Sequence, residues 1–154
     1  MPMAEADPIE FDRRGRVSVY RHFVTRGKAP TLAETAAAAG APSDAVRASL
    51  ERLAAAHILV LDPQTRHIWM AMPFSAVPTG FRVRTDRGDW WANCAWDALG
   101  ISAMLQAPAE ITTSCSDCGA PPPVRTDGRA LTHGAGVVHF AVPASEWWDD
   151  IGFT

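Results

Sequence analysis

Trp90-Trp91-Ala92-Asn93-Cys94-Ala95-Trp96-Asp97-Ala98-Leu99-Gly100-Ile101-Ser102-Ala103-Met104-Leu105 places a thiol and a carboxylate inside one apolar run. Its apolar positions recur at helical spacing, which predicts a helix from Trp90 to Leu105. Cys94 and Asp97 stand three apart, so on a helix they share neighbouring rows of one face and can touch one ligand. A cysteine in the first turn feels the positive end of the helix dipole, which favours the thiolate. Burial among Trp90, Trp91 and Trp96 raises the expected pKa of Asp97, as does a neighbouring thiolate, and suits it to act as a general acid near neutrality. Spacing alone favours a plainer reading, with Cys94 as inert core and Asp97 as a capping or dipole partner.

Around this stretch the composition is that of an ordinary globular protein. The chain has 154 residues, 47% hydrophobic and 20% charged. That length buries a real core but is short for two independent domains, so two small lobes sharing an interface are expected. No apolar run approaches the ~20 residues of a membrane span, and no cationic start followed by an apolar core marks a signal peptide. The expected location is cytoplasmic. A formal charge of −3 argues against general attraction to nucleic-acid phosphates, and Arg13, Arg14, Arg16, Arg21 and Arg26 read as a solvated face. Three cysteines, an odd count, suit working thiols in a reducing compartment better than a disulfide framework.

Upstream of the central stretch, residues 1–10 read as a polar, disordered tail. A first helix is predicted from Phe11 to Thr25 and is ended by Gly27 and Pro30. A second opens at Thr31 with Glu34 three residues on, a capping-box pattern, and a third is capped by Ser43 and runs to Ala56. Ile58–Leu61 and Ile68–Met72 flank Asp62-Pro63-Gln64-Thr65-Arg66 as a hairpin. Three helices and a hairpin make a winged-helix-like lobe over 11–72. Its third helix offers only Arg47 and Arg52 among alanines, which favours a structural lobe over a DNA reader. Residues 73–80 read as a linker. Phe81–Arg84 then alternates as a strand; Glu110–Thr113 and Pro123–Thr126 are further strands around the Cys115–Gly119 turn, and Val137–Val142 is the strongest later strand. Ser145–Asp150 can start a short helix.

Cys94-Ala95-Trp96-Asp97-Ala98-Leu99 resembles the Cys-Ala-x-Asp segment of the alkylmercury (organomercurial) lyases, and the similarity covers most of the chain. Pro73-Phe74-Ser75-Ala76-Val77-Pro78-Thr79 resembles the family's entry into its catalytic domain; Cys115, Gly119-Ala120-Pro121 and Val138-His139-Phe140 are similar to later landmarks. The resemblance implies an α+β fold: a winged-helix-like three-helix lobe with a β-hairpin, then a small mixed β-sheet domain of alkylmercury-lyase type over 81–154. It implies protonolysis of a carbon–mercury bond, with Cys94 as thiolate and Asp97 as proton donor acting with a second cysteine. That second cysteine would fall close to Ala135, where none stands.

Cys115 and Cys118 have the spacing of a redox pair or of half a zinc site, which Cys94, His133 or His139 would have to complete. His139 between Val138 and Phe140 reads as a sheet histidine. For the chemistry the resemblance implies, a second thiolate must approach Cys94. Cys118 is favoured for it, since Cys115 matches a family cysteine outside the usual catalytic set and Cys118 is an addition here. No organic cofactor is called for; the expected ligand is a soft metal, mercury as substrate or product, with copper or zinc as alternatives. The partners expected are an organometal or other soft electrophile and low-molecular-weight thiols. Two other readings use the same residues: a protein that binds a soft metal through Cys94, Cys115 and Cys118 without cleavage, and a winged-helix regulator that senses a ligand through these thiols.

Overall fold

A computed structural model describes residues 7–152 of the chain. Helix α1 (Pro8–Arg26) starts earlier than its apolar pattern indicates. Asp7 accepts a hydrogen bond from the Ile9 N–H at 3.0 Å, and Pro8, which has no N–H, sits where a helix start would leave one unpaired anyway. Residues 8–10, expected in the tail, are therefore helical; residues 1–6 lie outside the described residues. Gly27, at φ +69, ends the helix in a left-handed conformation and donates to the Phe23 carbonyl.

Helix α2 (Leu32–Ala39) opens with the Thr31–Glu34 capping box, both bonds present. Helix α3 (Ser43–Ala55) is capped differently from expectation: Pro42 holds the cap position, extended, and its carbonyl accepts the Val46 N–H at 3.2 Å. Ser43 is thus the first helical residue and has no capping bond to make. Arg52, one of the two arginines this helix offers, is tied to Asp12 of α1 by bonds of 2.8 and 2.7 Å. Val19, Phe23, Val46, Leu50 and Leu53 face one another between the three helices as buried core.

Strands β1 (Val60–Leu61) and β2 (Ile68–Ala71) form the expected hairpin. Asp62 turns the chain by accepting from the Gln64 and Thr65 N–H groups. Strand β3 (Phe74–Ser75) lies within 73–80, the stretch read as a linker, and pairs with both β2 and β5 (Gly88–Ala92). With β4 (Arg82–Thr85), β6 (Ala109–Thr112), β7 (Val124–Thr126) and β8 (Leu131–His133), these make one eight-stranded sheet in the order β1-β2-β3-β5-β4-β6-β7-β8. Its pairings are all antiparallel, so the class is α+β but the sheet is not mixed.

The largest correction falls on Trp90 and Trp91, expected in a helix and found in β5. Gly88–Ala92 alternates, with Trp90 and Ala92 buried on one face and Trp91 half-buried on the other, and the strand is laddered on both edges. Helix α4 (Ala95–Leu105) begins only after it and packs on β4, β5 and β6. A second correction concerns Val137–Val142, which forms no strand. Val137 is 92% exposed and His139 is exposed, because β-branched residues make a strand only where an edge and a face receive them. The tail forms only a 3₁₀ turn (Ala144–Glu146), and Trp148 stacks on His57 at 3.9 Å between centroids. Among the described residues no helix is long and apolar enough to cross a membrane.

Helical lobe and sheet meet at an aromatic stack. Phe23 of α1 lies parallel to Phe74 of β3 at 5.2 Å, Trp90 stands 6.3 Å beyond Phe74, and the Trp90 indole N–H donates to the Phe23 carbonyl at 2.7 Å. Trp90→Phe removes that bond and part of the ring volume. It is expected to cost about 2 kcal/mol, read as a lower urea midpoint at unchanged slope. A midpoint equal to that of the parent protein would show the bond to be dispensable.

Candidate active site at the start of helix α4

The chain leaves β5 at Ala92, passes through Asn93 and enters α4 with Cys94 as N-cap. Cys94 is extended, and its sulfur accepts the Asp97 N–H at 3.5 Å, the role usually taken by a serine or aspartate oxygen. Cys94 and Asp97 therefore come together, as the spacing predicts, but Cys94 stands one position outside the helix.

The protonation state of Cys94 departs from expectation. Burial pushes the thiol up from its ordinary value, and the Asp97 charge adds to this; the N–H groups of Asp97 and Trp96 oppose it but do not win. The half-buried position favours the thiol over the thiolate, since it withholds the water that would solvate the charge. Asp97 behaves as predicted in direction: burial raises its carboxyl, against a smaller opposing effect of the Asn93 hydrogen bond. Trp96, expected to be buried beside it, is 65% exposed.

Two residues missed in the sequence complete the arrangement. Asn93 Nδ2 donates to Asp97 Oδ2 at 2.9 Å and to the Phe74 carbonyl at 3.3 Å, which ties the carboxylate to the centre of the sheet. Its own Oδ1 is buried without a partner. Tyr20 of α1 donates to the Met72 carbonyl at 2.7 Å, and its phenol is pushed up by burial, with the Asp97 charge adding to the shift. Asn93 was signalled by its place four before Asp97, and Tyr20 by being the sole tyrosine of the chain.

The three cysteines do not converge. Among the described residues no three His, Cys, Asp or Glu side chains are grouped to hold a metal, so Cys94, Cys115 and Cys118 do not make the expected common centre. Cys94 caps α4, whereas Cys115 and Cys118 sit on the turn that follows β6. His133, in β8, and His139 are both exposed. A groove of about 290 Å³ runs along another face of α4, past Trp96, Leu99 and Ala103 to Leu131, and includes neither Cys94 nor Asp97.

The raised carboxyl makes a prediction about stability. Because the native state holds the Asp97 proton to higher pH than the unfolded chain, it binds more protons between the ordinary carboxylate pKa and the raised one. Stability then falls as pH rises through that window, and the full penalty is present above it. Asp97→Asn removes the titration and keeps an oxygen for Asn93. Its urea midpoint, relative to that of the parent, is expected to climb from acid to neutral pH; a difference independent of pH would contradict the assignment.

Compared with known proteins, the chain matches the MerB family model, alkylmercury lyase, over residues 74–154. That span runs from β3 through the Cys94–Asp97 site and on past β8. No curated protein matches at a significant level. Among solved structures, the mercury-bound form of MerB2 is similar with a TM-score of 0.61 at 20% identity, covering 84% of this chain and 68% of its own. At that identity the likeness is one of fold.

Proposed function

The chain belongs to the alkylmercury lyase family, and on that premise we propose that it cleaves a carbon–mercury bond by protonolysis at Cys94 and Asp97. The observation that carries this reading is the pairing at the start of α4: Asp97 presents its N–H to the Cys94 sulfur, and its carboxyl is raised by burial. A soft organomercury cation prefers sulfur, so it displaces the thiol proton and forms the sulfur–mercury bond. The proton passes to Asp97, whose buried carboxyl favours holding it. Asp97 then delivers that proton to the carbon; the carbon–mercury electron pair forms the new C–H bond, the hydrocarbon leaves, and mercury(II) stays on Cys94. Asn93, anchored to the Phe74 carbonyl, positions the carboxyl for both transfers. Where the family's second cysteine is absent near Ala135, a low-molecular-weight thiol from solution supplies the second sulfur and carries mercury away.

The experiment is release of hydrocarbon from an organomercurial in excess free thiol. Asp97→Asn is expected to lower turnover by about 10²–10⁴-fold, the range of a positioned proton donor, while the organomercurial still binds at Cys94. Stoichiometric capture without hydrocarbon release from the parent protein would replace this reading by one of binding alone.

A further inference from the structure

Cys115 and Cys118 form no three-residue group with Cys94 among the described residues and are arranged as a pair in one turn. The chain closes on itself around them: Cys115 N–H donates to the Ala120 carbonyl at 2.8 Å, and Gly119 N–H donates to the Cys115 carbonyl at 2.8 Å. Gly119, at φ +73, supplies the left-handed residue that brings the chain back after Cys118. Both thiols are free, with Cys118 exposed. With only two residues between them in a turn closed by these backbone bonds, the Cys115 and Cys118 side chains lie close enough for the Cys118 side chain to act on the Cys115 thiol.

We infer that the Cys115–Cys118 turn is a second, separate site, which chelates a soft two-coordinate cation such as mercury(II) between its two sulfurs. Binding forms two sulfur–mercury bonds and releases two thiol protons to solvent, with no change of oxidation state. Zinc fits poorly, because it takes four ligands and no third His, Cys, Asp or Glu joins the pair among the described residues. Two thiolates fully satisfy a linear d¹⁰ ion.

The sheet register puts this turn at the same end of the sheet as Cys94. Thr112, the last residue of β6, is opposite Arg82, and Arg82 is opposite Trp91 of β5. Each thiol follows three residues beyond that rung, Cys94 after Trp91 and Cys115 after Thr112, so both leave the same end of the sheet. At that rung the two strands are two inter-strand steps, about 10 Å, apart. A pair of sulfurs held in one turn resists competition by monothiols, which a single cysteine does not, and such a site suits reception of mercury(II) released at Cys94.

The test does not require turnover and so stands or falls apart from the lyase reading. Reduced Cys94→Ser protein is loaded with mercury(II), equilibrated with a large excess of monothiol, desalted and assayed for bound metal and for the sulfur-to-mercury charge-transfer band. The expected result is one retained equivalent, lost when either Cys115→Ser or Cys118→Ser is added, with unchanged far-ultraviolet dichroism. No retained metal in Cys94→Ser, or retention that survives either added substitution, would overturn the inference. So would a Cys115–Cys118 disulfide that persists in the excess monothiol.

Discussion

Cys94→Ser is expected to abolish hydrocarbon release while leaving the protein folded and no less stable. The two halves of that result come from the same atom. As an N-cap, the sulfur of Cys94 accepts one long hydrogen bond of 3.5 Å from Asp97. A serine oxygen makes that bond better, so the cap is kept or improved by a few tenths of a kcal/mol. As a ligand, an alcohol has little affinity for a soft metal at neutral pH. Loss of the group that bonds to the substrate then removes turnover by more than about 10³-fold, since Asp97 has nothing held in place to protonate. Turnover within tenfold of the parent would dismiss Cys94 as the reacting group. A large fall in the urea midpoint would show that its sulfur is a packing element and that lost activity reports lost fold.

Such a separation of cap from chemistry was half legible in the sequence. Cys94 and Asp97 at three-residue spacing are neighbours on any helix, and they are neighbours here even though the helix begins at Ala95. Where the helix begins was not legible. Trp90 and Ala92 fit the face of a helix and the alternation of a strand equally well. The choice was made by ladder bonds to β4, 3 to 9 positions away at the paired rungs, and to β3, 16 and 18 positions away, beyond any local pattern. The same holds for the support of the carboxyl, since Asn93 reaches the Phe74 carbonyl across 19 residues. Local capping signals fared better, since the Thr31–Glu34 box and the Asp62 turn are closed within four residues. The upward shift of the Cys94 thiol was not legible because the helix dipole is visible in sequence and desolvation is not.

Phe74→Ala is expected to cost about 3–5 kcal/mol, the largest stability effect of a single side chain at the junction of lobe and sheet. Phe74 is fully buried, stacked on Phe23 and edge-on to Tyr20, and lies in a strand paired on both edges. Neither neighbouring strand can close on the space a lost ring leaves without breaking ladder bonds. Against a total stability of about 5–15 kcal/mol, such a loss leaves a protein close to its unfolding threshold at room temperature. The link from Phe74 to the site, however, is its backbone carbonyl, which Asn93 holds and which any residue supplies. Phe74→Leu, which keeps most of the apolar volume, is therefore expected to lose far less stability and to turn over normally per folded molecule. In the alanine variant, activity should track the folded fraction measured by circular dichroism, with no separate fall in kcat. If Phe74→Leu folds fully yet loses turnover, the ring itself positions Asp97 and the carbonyl does not suffice.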